Sequence, residues 1–312
     1  MPLDPSTKTH ASLSSAGTEP GDGTNSICHG FLGGVQANSK HVIDAPQVTL
    51  VLWDSLFANN SAAVTSAKQL VTDLLTGPYM NGLAQYGVAR GALVNTVVVD
   101  TKNYPAPATW DVNDGNDLTQ LKTWFTANVL AAPPKDNTDG VFFIVLPNST
   151  QLTNGKNKDG TPNTSVVGWH HSAKYNSTSS NNDLFWGLVL TKPNVLTKGS
   201  EQAFINGFAY GVAHELCETF TNRDGNGYTN SNGCEIGDIC EADTSNNLIT
   251  FPYKSWSVEP YWSSWDSACI HGDAPVSLQR FFTAINFNSN TQPLSALGTP
   301  VINLDYIASR MR

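Results

Sequence analysis

This sequence has little charge: Asp, Glu, Lys and Arg make up 14% of its 312 residues. Solubility must come mainly from uncharged polar surface, rich in Asn, Ser, Thr and Gly. There is no run of Lys or Arg, and the formal net charge is −9. Nucleic acid and anionic membranes select clustered positive charge, so neither is expected as the main partner. Long apolar runs are missing as well. The longest strongly apolar run, VFFIVL at 141–146, falls far short of the roughly 20 residues that span a bilayer, and no membrane insertion is expected. The first 27 residues contain no apolar signal-peptide core. The chain is therefore either intracellular or a mature secreted form with an added Met1. Residues 1–27 are expected to form a flexible segment ahead of one globular domain over 28–312. No internal repeat or heptad pattern is present, which removes solenoids and coiled coils.

Cysteines are few and unevenly placed. Five occur, at 28, 217, 234, 240 and 269. Their clustering favours local disulfides or metal thiolates, and the odd count leaves at least one thiol unpaired in a monomer. Asn-x-Ser/Thr acceptors at Asn59, Asn148, Asn163 and Asn176 are compatible with secretion.

Four short β-branched segments, QVTLVLW (47–53), NTVVVD (95–100), VFFIVL (141–146) and WGLVLT (186–191), read as buried strands. Helical patterns over about 61–75 and 116–131 separate the first three, and GPYMNGLAQYG adds a short helix before the second. Strand and helix in alternation predict an α/β fold with a mostly parallel sheet, α+β being the alternative. The polar stretch 147–183 is too long for an ordinary connection and reads as a functional excursion. A third helix spans about 200–221, with Phe204, Phe208, Val212, Leu216 and Phe220 recurring every four residues against the sheet. The C-terminal SLQRFFTAINF and PVINLDYIA are expected to complete the same core.

On the third helix the sequence AHELCETF places His214 and Glu218 one turn apart on one face, with Glu215 about 100° round from His214. HExxH helices use this geometry to give two ligands to zinc and to aim the intervening Glu at the attacking water. Here Glu218 replaces the second His; a carboxylate also ligates, and it makes the site more tolerant of Ca²⁺ or Mn²⁺. A third ligand is offered downstream by Glu235 and Asp238 in CEIGDICE, or upstream by His170 and His171 in GWHH and His29 in CHG. An ion pair on an ordinary helix is the plain alternative for His214 and Glu218, and surface histidines for GWHH. DGNGYTNSNGCE places Asp224, Asn226, Tyr228, Asn230, Asn232 and Glu235 at calcium-loop positions, but Thr229 stands at the sixth place where an EF-hand needs Gly; a solvated hairpin is the simpler reading. The aromatic SWSVEPYWSSWD reads as packing or as the lining of a groove.

The order of CHGFLGG, PQVTLVLWD, VVGWHHS, AHELCETFTNRDGNGY, CEIGDICE and VEPYWSSWDSACI resembles a broad, uncharacterised group of secreted, zincin-like bacterial and fungal proteins with an HExxE and EIGDxC pattern. It is more distantly similar to the plant EXORDIUM or phosphate-induced protein family. The resemblance implies a zincin-like domain with an HExxE helix and a metal centre on His214, Glu218 and one or both of Glu235 and Asp238. It also implies a Cys240–Cys269 disulfide. Asn222 and Arg223 depart from the group's usual Asp-Pro, and Cys217 and Cys234 are additional; a second disulfide between these two is one of the pairings left open among Cys28, Cys217 and Cys234.

The expected function is a metal-dependent hydrolase, a secreted zinc peptidase acting on a peptide or protein, with Glu215 as general base. The alternative is a non-catalytic extracellular protein stabilised by metal, Ca²⁺ in particular, that binds glycan or cell wall. A cysteine hydrolase built on Cys217 is disfavoured: Cys217 and His214 share one helix, leaving no independently placed base.

Overall fold

Alternation along the strands decides the architecture. In the computed structural model, which describes residues 28, 35, 41–111, 116–133, 138–153, 168–175, 183–191, 201–231, 233–241, 249–264 and 268–271 (backbone alone at 116, 117, 153 and 201–207), five strands form one sheet. These are β1 (Gln47–Leu52), β2 (Ala92–Val98), β4 (Gly140–Leu146), β6 (Gly168–Ala173) and β7 (Leu184–Leu190), in the order β2-β1-β4-β7-β6. Every pairing is parallel except β6 with β7, so β6 is an antiparallel edge strand. Short strands β3 (Thr109–Asp111) and β5 (Gln151–Thr153) pair separately.

Side chains of period 2 feed a core on each face. Val48, Leu50, Val141, Phe143, Val145, Phe185 and Val189 meet helices α2 (Ser61–Thr76) and α4 (Glu201–Thr221) on one side. Val51, Phe142, Ile144, Leu146, Trp186 and Leu188 point the other way, against α3 (Asn116–Thr126), Trp53 and Trp110. The sheet with helices on both sides is the predicted α/β arrangement. Asp54 caps the short α1 (Ser55–Ala58) and Asn60 caps α2, each side chain accepting a backbone N–H of the first turn.

Helix α4 is buried on every side from Phe208 to Thr221. A helix that is enclosed all round must also place its polar residues inside. One side lies on β6 and β7; β9 (Trp256–Val258), which pairs with β8 (Phe251–Tyr253), and the 3-10 helix Pro78–Tyr86 cover others. Tyr79 ties these layers, its hydroxyl donating to the carbonyls of Ala213 at 3.2 Å and Glu259 at 3.1 Å. Strands β10 (Tyr261–Ser263) and β11 (Ala268–Ile270) form a further antiparallel pair.

Several expectations need correction. The 147–183 excursion is not one loop: it contains β5 and β6, and the GWHH histidines belong to β6, buried, where surface positions were the plain reading. Helix α3 ends at Thr126, five residues early, with Asn128 in the left-handed region at φ 57°. The Cys240–Cys269 disulfide is present, but Cys234 pairs with Cys28, leaving Cys217 a buried free thiol. Residues 1–27, His29, Asn232 and the 272–312 segment lie outside the described residues.

Candidate metal centre

Helix periodicity and strand alternation meet at one place. His214 and Glu218, one turn apart on α4, bring Nε2 and Oε2 to 3.1 Å. Glu215, rotated round the helix, points Oε2 at His170 Nδ1 of β6, 3.3 Å away. Alternate side chains of a strand face opposite sides, so Gly168 and His170 face α4 while Trp169 and His171 face the other core; the His171 ring packs edge-on to Trp186 at 5.1 Å. His171 is thereby removed from the site and His170 enters it. Gly168 is required for the approach: a Cβ there would lie 2.3 Å from Glu215 Oε1.

The segment after α4 turns back and supplies two more carboxylates. Asn222 accepts from Gly227 N–H and donates to Glu235 Oε1, and Glu235 Oε1 lies 3.2 Å from His170 Nε2. Asp238 Oδ2 accepts Glu235 N–H at 3.0 Å, while Asp238 N–H donates to Glu218 Oε1 at 3.0 Å. Of the two downstream candidates, Asp238 joins His214 and Glu218 in a triad whose ligand atoms all fall within 4.8 Å of one another; Glu235 sits behind His170. A Cβ at Gly237 would come within 2.7 Å of Glu218 Oε1, so bare backbone is needed there as well. Cys28–Cys234 and Cys240–Cys269 clamp the segment immediately before Glu235 and two residues after Asp238.

The calcium-loop reading fails on direction. Asp224 turns away to His41, 2.7 Å from its Nδ1, Asn230 Oδ1 caps Cys234 N–H, and Tyr228 packs on Tyr86. The segment is a hairpin, with Thr229 bridging to Glu235, and it is buried at both of these tyrosine and glutamate positions.

Glu259, just before β10, is the residue that sequence reasoning missed. Its two oxygens each lie 2.9 Å from His214 Nδ1, and its side chain is fully buried. The only available signal was an acid inside the otherwise uncharged aromatic run SWSVEPYWSSW. A carboxylate on the remote nitrogen of a ligating His fixes its tautomer and raises its basicity.

Carboxylates outnumber histidines in the cluster. Five carboxylates, Glu215, Glu218, Glu235, Asp238 and Glu259, are at most 4% exposed. Burial, followed by neighbouring carboxylates, raises Glu218 and carries Asp238 well above the usual range. Burial raises Glu215 to about 7 against the opposing pull of His170 and His214, and Glu259 to about 8 against that of His214. Burial alone would lower the histidines, but Glu235 and Glu215 drive His170 well up, and Glu218 and Glu259 do so for His214. Acids and bases shift in one sense, toward holding protons. A cation satisfies the same demand. Cys217 is not a competing nucleophile: burial pushes its thiol well up, and Sγ donates to His214 O of its own helix at 3.1 Å.

The residues fit a metal ion. Among the described residues Glu215 Oε1 is buried without a hydrogen-bond partner, and His214 Nε2 and Glu218 Oε2 are buried facing each other at 3.1 Å, a costly state unless something accepts their lone pairs. No protein-family model matches the chain, and no curated protein matches it.

Proposed function

We propose that this chain is a metal-dependent hydrolase, a secreted peptidase of zincin-like fold, working at the His170, His214, Glu215, Glu218 and Asp238 cluster. The observation that carries the reading is Glu215: it lies between two candidate ligands on one helix, touches His170, and keeps Oε1 without a partner among the described residues. A carboxyl held near 7 is suited to take a proton from water at neutral pH and return it to a leaving amine. His214, Glu218 and Asp238 would hold the ion, which when bound polarises the scissile carbonyl and lowers the pKa of the attacking water. Glu259 keeps the His214 imidazole oriented, and Asp238 N–H fixes the Glu218 carboxylate. Histidines among the donors favour zinc, or manganese, over calcium, which takes oxygen ligands only. The two disulfides support secretion.

A second reading, a non-catalytic extracellular protein using the ion as a structural staple and binding glycan or cell wall, is favoured by one observation: the candidate ligands are buried, as closed structural sites are. Glu215→Gln separates the two. In the hydrolase it keeps the ion on His214, Glu218 and Asp238 and the fold, and lowers turnover of a casein-derived peptide pool by 10²-fold or more. Undiminished turnover refutes Glu215 as base; no turnover by the metal-loaded wild type on any peptide or protein pool favours the staple.

A further inference from the structure

We propose that the cluster is a two-ion centre. One divalent cation sits on His214, Glu218 and Asp238, a second on His170, Glu215 and Glu218, and Glu218 is the carboxylate they share. The inference rests on the metal reading above and deepens it.

Ligand geometry is the first argument. Among the described residues, the histidine and carboxylate atoms that come within 4.8 Å of one another form two triads, and only Glu218 belongs to both. The edges of a tetrahedral zinc site are roughly 3.4 Å, from bonds of about 2.0–2.1 Å. One ion therefore accounts for one triad and leaves the other. Glu218 Oε2 lies between the histidines, 3.1 Å from His214 Nε2 and 3.7 Å from His170 Nδ1.

The histidines provide the second argument, because their surroundings are built alike. His214 turns Nε2 to Glu218 and Nδ1 to Glu259; His170 turns Nδ1 to Glu215 and Glu218 and Nε2 to Glu235. Each ring has one nitrogen on the shared carboxylate and the other on a carboxylate of its own. That is the carboxylate–histidine–metal pattern, present twice. Asn222 fixes the Glu235 oxygen that backs His170, while on the other side both Glu259 oxygens back His214.

Charge is the third argument. Five carboxylates are buried against two histidines, and a second divalent cation would stand where these acids must otherwise hold protons. Uncompensated buried charge is among the most expensive states a protein can hold. With the second ion bound, Glu215 is a ligand and no longer the proton-holding base of the single-ion form; Oε2 is the oxygen it turns to His170. Paired ions about 3.5–4 Å apart are a recurrent hydrolytic arrangement.

The test is made on the full chain, stripped with chelator, reloaded with Mn²⁺ or Zn²⁺ and desalted. Metal is counted against protein by mass spectrometry, and the Mn²⁺ form is examined by electron paramagnetic resonance. Two equivalents and an exchange-coupled manganese spectrum are expected in the wild type, with one equivalent and an isolated six-line spectrum in His170→Ala. The wild-type spectrum decides even if the variant does not fold. One equivalent with a six-line spectrum overturns the second ion while the single-ion hydrolase stands. Two uncoupled ions overturn the shared Glu218, and no retained metal overturns both readings.

Discussion

Replacing Glu259 by Gln is the sharpest perturbation of this site, because it removes one charge and almost no volume. The glutamate is fully buried and brings both oxygens to 2.9 Å from His214 Nδ1. Glutamine keeps one acceptor for the Nδ1–H, so the ring stays where it is. What disappears is the anion that makes Nε2 a stronger donor to a metal. Loss of such a partner typically weakens metal binding by about 10–100-fold, which is about 1.4–2.7 kcal/mol. The assay is zinc competition against a chromophoric chelator at fixed pH, wild type beside Glu259→Gln, with circular dichroism and melting of both metal-free forms as the control for folding. The variant should fold at least as well as the wild type without metal, since it no longer buries a carboxyl held at about 8. Affinity within twofold of wild type would refute the reasoning: either His214 is not a ligand or Glu259 does not set its state.

Metal-free protein should lose stability as pH rises. Glu215 and Glu259 have folded values of about 7 and about 8, above their ordinary value of 4.5, so their contribution is full below about pH 4.5 and is lost as pH climbs through 7 to 8. Calorimetry should find a lower melting temperature at pH 8.5 than at pH 6 for the chelator-treated chain and a smaller difference for the loaded one; a flat metal-free profile contradicts the proton-holding cluster. Gly168→Ala puts a methyl 2.3 Å from Glu215 Oε1 and 2.8 Å from its Cγ, which should destabilise the fold by about 1–3 kcal/mol and displace Glu215; urea melts and peptide turnover measure both, and a neutral result would place Glu215 elsewhere. Replacing Cys28 and Cys234 by Ser opens a link across 206 residues and should cost about 2–5 kcal/mol together with metal affinity, because Cys234 directly precedes Glu235. Denaturant melts and chelator competition read the two effects, and unchanged affinity would show that the hairpin holds Glu235 without its clamp.

The sheet was legible because its strands are β-branched runs bounded by turn residues, and α4 because HExxE sits in a four-residue apolar repeat. What periodicity could not show was that α4 is enclosed on every side: the residues that cover it are remote in sequence, in Pro78–Tyr86 and β9. The histidine choice was half readable. Treating GWHHS as a strand would have put His170 and His171 on opposite faces, but a Gly- and Asn-rich stretch hides a six-residue edge strand held by its neighbour β7. The pairing of Cys28, Cys217 and Cys234 was open in the sequence: Cys217 turns back on its own helix, and Cys234 joins Cys28 more than 200 residues away. Glu259 was invisible to motif reading, since a residue that orients a ligand obeys no spacing rule relative to it.

Why Glu218 stands where an HExxH helix carries histidine follows from the hydrogen bonds around it. Its Oε1 accepts the backbone N–H of Asp238, and its Oε2 faces His214 and His170. A neutral imidazole has one acceptor nitrogen and one N–H. If the acceptor nitrogen bound a metal, the N–H would be presented to the Asp238 N–H, two donors facing each other in a fully buried site. Only a carboxylate can ligate on one side and accept on the other. The CEIGDIC turn and Glu218 therefore form one unit: the tight approach at Gly237 brings the Asp238 N–H to the carboxylate, and the disulfides on either side hold that turn in place. On the proposed reading the glutamate is not a decayed histidine but the one residue that would bind an ion on one side and accept the Asp238 N–H on the other.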